Sequence, residues 1–105
     1  MNLLSDNDMD LRTLFDGFGV KVPQREVADI TTESLSVTRG GLFLACRGST
    51  HHGLEFVPQV LAAGPSAIAW EPDAGIPAPA LPPEICGFAV PDLGHRLGEI
   101  ANRFF

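Results

Sequence analysis

Between Gly40 and Gly53 the chain reads GGLFLACRGSTHHG. A thiol (Cys46), a guanidinium (Arg47), two hydroxyls (Ser49, Thr50) and two imidazoles (His51, His52) follow one another almost without a break. Residues of these types do three kinds of chemistry: they bind metals, they act as nucleophiles, or they hold a small polar ligand. Spacing separates the three. Adjacent histidines point apart, whereas helical metal ligands favour i, i+4 and strand ligands i, i+2. No C-x-x-C or H-x-x-x-H pair is present, and Cys86 is distant in sequence. The spacing therefore reads as solvated loop histidines and no metal site.

Thiol chemistry fares little better. Cys46 ends an apolar run, where cysteine behaves as a small hydrophobe, and a reactive thiolate wants an exposed electropositive setting. Strand alternation would turn Arg47 to the opposite face. Ser34, Ser36, Ser49 and Thr50 stand in no G-x-S-x-G elbow. No residue is assigned a catalytic role. A phosphate-binding G-x-x-x-x-G-K-[ST] loop needs a lysine. The one lysine, Lys21, lies in GFGVKVP. A Walker-type ATP site is thereby excluded from this chain.

What remains is a loop that holds a ligand. GSTHHG lies between a predicted buried strand and a predicted helix, a βα turn, which is the usual ligand edge of an α/β sheet. Backbone N–H groups there suit an anion, and hydroxyls suit a nucleobase edge or a phosphate. Spacing alone leaves two readings of Ser49 and Thr50 open: ligand contacts, or a cap for the following helix. TTES, at the end of an earlier strand, offers a second hydroxyl-rich loop.

The elements that must position these loops follow from periodicity. Leu11, Leu14, Phe15 and Phe18 make one face of a helix, with Asp8 or Asp10 at its start and Gly17 and Gly19 at its end. VADITTE reads as a β-branched strand. LFLAC is continuously apolar between glycines, as a strand covered on both faces is. HGLEFVPQVLAAG reads as a helix with Pro58 in its first turn and Gly64 just past its end. SAIAWEP and ICGFAV are further strands. PDAGIPAPALPPE, with five of the nine prolines, is a stiff surface loop. PDLGHRLGEIANRFF closes the chain as a helix capped by Asp92, with Leu93, Leu97, Ile100 and Phe104 on one face. This order predicts an α/β fold: a single small domain, residues 1–105, with a mixed, mostly parallel sheet flanked by helices.

Bulk properties set limits. The 105 residues suit one domain, and 45% hydrophobic with 19% charged residues is a globular composition. A net charge of −6 with scattered arginines offers no basic patch, so nucleic acid is not an expected partner. No apolar run reaches the ~18 residues of a membrane span. The start, MNLLSDNDMD, lacks the apolar region of a secretory signal, and two cysteines make no disulfide scaffold. The expectation is a cytoplasmic protein without membrane association. The pair Phe104–Phe105 at the end of an amphipathic helix reads as a cut rather than a finished terminus.

The stretch ITTESLSVTRGGLFLACRGSTHHGLEFVPQVLAAGPSAIAWE, Ile30 to Glu71, resembles the N-terminal domain of the Mur ligases, the MurE type in particular. The family pattern is a strand, Asp-Ser-Arg, Gly-Asp-Leu-Phe-Val-Ala, a Gly, a loop with Asp-Gly, then Phe-Ile, Ala and Gly-Ala. The tail VPDLGHRLGEIANRFF is similar to the MurE helix that leads into the ATPase domain. The resemblance implies an ATP-dependent amide ligase of peptidoglycan synthesis. Such an enzyme adds meso-diaminopimelate or lysine to UDP-N-acetylmuramoyl-L-alanyl-D-glutamate. The N-terminal domain would hold the uridine diphosphate end of that substrate. ATP and Mg2+ would belong to a central domain, and the amino acid to a C-terminal one, both in cis and outside this chain.

By the same resemblance Thr32 and Ser34 fall on the first uridine-contacting loop, and Ser49, Thr50 and His51 on the second. Three positions depart from the pattern. Glu33-Ser34-Leu35 replaces Asp-Ser-Arg, Gly40-Gly41 replaces Gly-Asp, and His52-Gly53 replaces Asp-Gly. These departures motivate an alternative expectation, a free-standing, non-catalytic interaction or regulatory module with the same fold.

Overall fold

A computed structural model describes residues 8–105. Its main sheet has four strands, all parallel, in the order β3-β4-β5-β6. These are β3 (Ile30–Thr31), β4 (Leu42–Ala45), β5 (Ala67–Trp70) and β6 (Cys86–Ala89). A separate antiparallel ladder joins β1 (Met9–Asp10) to β2 (Glu26–Val27). The α/β class and the mostly parallel sheet are as the residue pattern predicts. The single strand expected over VADITTE is instead divided. Val27 turns into the β1 ladder, and the chain rejoins the main sheet at Ile30.

Alternation along β4 explains its unbroken apolar sequence. Leu42 and Leu44 pack on one side of the sheet, with Leu11, Leu14, Phe15, Leu93 and Ile100. Phe43 and Ala45 pack on the other, with Leu54, Val57, Val60 and Ile68. Helices cover both faces, so no position on the strand meets water. Burying a side chain such as Phe43, which is fully enclosed, contributes about 1.5–3 kcal/mol.

The first face is closed by α1 (Leu11–Leu14) and α3 (Leu97–Phe104). Asp10 caps α1 by accepting the Arg12 N–H, and Gly17 and Gly19 end the segment with φ of 83° and 74°. Arg103 reaches back from α3 to the carbonyl of Leu14, at the end of α1, and to that of Asp16, just past it. The apolar stripe of the last helix is as its spacing predicts: Leu93 and Ile100 are buried, Leu97 and Phe104 half-buried. Its start is not. Asp92 adopts a left-handed conformation (φ 58°) and makes no side-chain cap. A one-turn 3-10 segment, Leu93–Arg96, intervenes before α3.

The second face is closed by a 3-10 turn, Gly53–Phe56, that runs straight into α2 (Val57–Leu61). Pro58 lies in the first turn of α2, where its missing N–H is harmless. Gly64 ends it with φ 74°. The proline-rich segment 72–84 crosses the same face as a loop, and Leu81 packs over Gly87 beside Trp70.

Candidate functional site

Parallel strands present their C-terminal ends together, so the turns after β3 and β4 are neighbours. They enclose a cleft of about 440 Å3. One wall is Thr32–Leu35, leading into a 3-10 turn at Ser34–Ser36. The other includes Cys46, Arg47, Gly48, His51 and Gly53, and Phe56 and Leu97 add apolar lining. A larger hollow of about 690 Å3 lies between Arg12 and Pro23, away from both loops.

Of the residues picked out from sequence, Thr32, Ser34 and His51 come together as cleft lining. Ser49 and Thr50 do not line it; both are exposed at the tip of the second turn. Neither caps the following helix. That role belongs to His52, which corrects the reading of both histidines as solvated. His51 is exposed, its ring edge-on to Phe56. His52 is only 4% exposed. Its Nδ1 accepts the Leu54 N–H at 3.0 Å, and its Nε2 lies 2.9 Å from the Glu71 carbonyl oxygen. A carbonyl can only accept, so the proton sits on Nε2 and the neutral tautomer is set. Glu55 completes the cap by accepting the His52 N–H at 2.8 Å.

The turn is a narrow hairpin. Arg47 bridges His52 in antiparallel fashion, the Gly48 N–H reaches the His51 carbonyl, and the Gly53 N–H reaches the Cys46 carbonyl. Gly53 is required by proximity. A Cβ there would sit 2.7 Å from the Ala45 Cα and 3.0 Å from the Cys46 nitrogen.

Electrostatics distinguish the groups. Burial, with the nearby Glu71 carboxylate adding to it, pushes the Cys46 thiol up to about 11, so it stays protonated and unreactive at neutral pH. Glu55 is held below the ordinary carboxylate value, first by the His52 N–H and then by His51. Asp73 is held low first by the Gly75 N–H and then by Arg47, whose Nε lies 3.3 Å away. Among the described residues no group of three or more His, Cys, Asp and Glu side chains could hold a metal. No helix among them is long and apolar enough to cross a membrane.

Sequence reasoning missed the apolar part of the lining. Phe56 is signalled by helical spacing after GSTHHG. Leu97 comes from the far end of the chain, and its helical spacing signals an apolar face but not a place in this cleft. Arg47 lines the cleft together with Cys46 because β4 ends at Ala45, so strand alternation no longer governs the pair.

The family model described as Mur ligase family, catalytic domain, matches residues 26–105. The chain belongs to the Mur ligase family. This Mur ligase chain is 41% identical over 87 residues to the UDP-N-acetylmuramoyl-L-alanyl-D-glutamate--2,6-diaminopimelate ligase of Alkalilimnicola ehrlichii, with 77% of this chain and 18% of that protein covered. It is 44% identical over 80 residues to the enzyme of the same description from Xanthomonas campestris pv. campestris, covering 75% and 15%. It thus spans less than a fifth of these relatives. Among solved structures it is similar to MurF from Acinetobacter baumannii, with a TM-score of 0.70 and 26% identity over 91% of this chain and 21% of that one. MurF from Thermotoga maritima, in complex with ADP, gives a TM-score of 0.53 at 25% identity over 70% of this chain and 16% of that one.

Proposed function

We propose that this chain is the N-terminal, substrate-anchoring domain of a cytoplasmic Mur ligase of the MurE type. Its cleft would take the uridine diphosphate end of UDP-N-acetylmuramoyl-L-alanyl-D-glutamate. The observation that carries this is the convergence of two hydroxyl-bearing turns on one cleft at the ends of parallel strands, with Arg47 in its lining. Thr32 and Ser34 offer hydrogen bonds from one wall and His51 from the other. Ser49 and Thr50, exposed at the tip, would meet only the outer part of the ligand. Arg47 supplies positive charge for a diphosphate in a chain that is otherwise acidic.

The ATP and Mg2+ of such a ligase have no fitting residues in this chain, because the sequence lacks a G-x-x-x-x-G-K-[ST] loop. No catalytic step is therefore assigned here. The chemistry would belong to further domains in cis, and this domain would contribute affinity and orientation of the substrate.

The test is a titration of uridine diphosphate into 15N-labelled protein. Amide shifts are expected at Thr32–Leu35 and Gly48–Gly53, with weak affinity because the rest of the substrate finds no contacts. No movement at either segment at millimolar ligand would sink the proposal.

One observation favours a second reading, a non-catalytic interaction module. Leu35 stands where the resembling pattern has arginine, and it is 89% exposed beside the cleft. A coding sequence that runs on past Phe105 into a P-loop would remove this alternative.

A further inference from the structure

Glu71 is a nearly buried carboxylate, 7% exposed, to which the proposed binding role assigns nothing. It follows directly on β5 and touches the second turn from below at several points. Its Oε1 accepts the Arg47 N–H at 3.0 Å. Its carbonyl accepts from His52 Nε2 at 2.9 Å. Its own N–H donates to the Ala45 carbonyl at 2.9 Å, which locks its backbone to the end of β4. Arg47 and His52 are the two arms of the hairpin whose tip is Ser49 and Thr50. One residue therefore grips both arms.

The next residues extend the grip to the Arg47 side chain. Pro72 accepts from Nη2 at 3.2 Å, and Asp73 Oδ2 lies 3.3 Å from Nε. The backbone of Arg47 and its guanidinium are thus oriented by one short segment from the neighbouring strand.

We propose that Glu71 is a positioning residue for the ligand cleft. It fixes the Arg47–His52 hairpin in its binding geometry before any ligand arrives. This rests on the nucleotide-binding reading above. It adds that the second wall is pre-ordered, so that binding does not have to supply the ordering entropy of that turn. The carboxylate acts through an accepted hydrogen bond. Glutamine, which keeps an acceptor oxygen at the same reach, can replace it.

The test compares wild type, Glu71→Ala and Glu71→Gln in two measurements on the full chain. The first is amide hydrogen exchange without ligand. In Glu71→Ala the Arg47 amide should exchange at least ~10-fold faster, while Ala69 and Phe88 in the sheet stay within ~2-fold. In Glu71→Gln Arg47 should keep its protection within ~3-fold. The second is the dissociation constant for uridine diphosphate. It should weaken ~5–10-fold in Glu71→Ala and stay within ~2-fold in Glu71→Gln.

Unchanged Arg47 exchange in Glu71→Ala would overturn the proposal. So would a glutamine variant as loose as the alanine one, because the grip would then depend on charge. Should Glu71→Ala fail to fold, Glu71→Met, which keeps the volume and lacks the acceptor, carries the same expectation. Failure of both to fold would make Glu71 a support of the whole fold and end the proposal. If wild type does not bind uridine diphosphate, the nucleotide reading falls, while the exchange data still judge the grip on its own.

Discussion

The two walls of the cleft differ in residue type and are held in different ways. The wall after β3, Thr32–Ser36, is tied locally. Thr31 Oγ1 accepts the Glu33 N–H, and Gln59 reaches Ser34 Oγ only at 3.4 Å. Its 3-10 turn has no side-chain cap and no buried residue. The wall after β4 is tied through the core. His52 is buried, Glu55 closes its cap, and Glu71 grips the arms from the next strand. On the proposed binding role, the contrast means that one wall can adapt to a ligand while the other sets the position it adapts to. Local opening should follow the same division, since turns with few buried contacts open most readily.

Four measurements would break or sharpen that contrast. The largest effect is expected at the root of the fastened wall. Raising the Cys46 thiol from 9.0 to about 11 lowers its thiolate fraction at pH 8 by roughly 100-fold. Alkylation of Cys46 in the native protein should be slower than in the unfolded chain by about that factor. The associated stability is complete below pH 9.0, the unfolded value, and is lost as pH rises through about 11. Rapid native alkylation at pH 8 would show that the wall opens freely.

Next comes the cap. His52→Ala removes a buried ring and leaves the Leu54 N–H and the Glu71 carbonyl without their partner. A loss of about 2–4 kcal/mol is expected in urea melts. His52→Asp, the residue of the resembling pattern, can still cap Leu54 but is too short to serve Glu71 as well. It should lose about half as much. Equal losses would mean that the bond to Glu71 contributes nothing.

A smaller effect depends on acid. Glu55 has a lowered folded pKa, so its contribution is present above 4.5, the unfolded value, and is lost as pH falls through the folded one. Glu55→Gln should flatten the pH dependence of stability in that window. The His52 amide shift should report the same titration in wild type. A pH-independent His52 amide would detach Glu55 from the cap.

The smallest effect is expected on the loose wall. Leu35→Ala should change stability by no more than about 0.5 kcal/mol, because an exposed side chain leaves little contact behind. Any larger loss would show that this wall, too, is anchored.

Much of this architecture is legible along the chain, and the residues show why. LFLA is apolar at every position because helices cover both faces of β4, and a run of that kind is visible without coordinates. Gly17, Gly19 and Gly64 end segments with positive φ, which glycine accepts most readily. The divergence of adjacent side chains argued against a shared metal ion but left both His51 and His52 read as solvated. Which of the two would be buried was not visible, because the partner of His52 is Glu71, 19 positions away. Asp92 misleads for a related reason. Its residue type suits a cap, but its left-handed backbone leaves the side chain without that bond.

The sequence by itself determined the α/β class, the buried strand, the two hydroxyl-bearing turns and the family. The first three are written in local periodicity or in a short run of residue types, and the family in the resemblance of the longer stretch Ile30 to Glu71. Only the tertiary structure decided that the turns share a cleft and that Arg47, Phe56 and Leu97 help to line it. It also turned one histidine of a pair into a buried cap and a glutamate into its anchor. Those facts depend on parallel pairing, which sets the ends of separate strands side by side. That juxtaposition comes from packing between distant segments and leaves no periodic mark on either one.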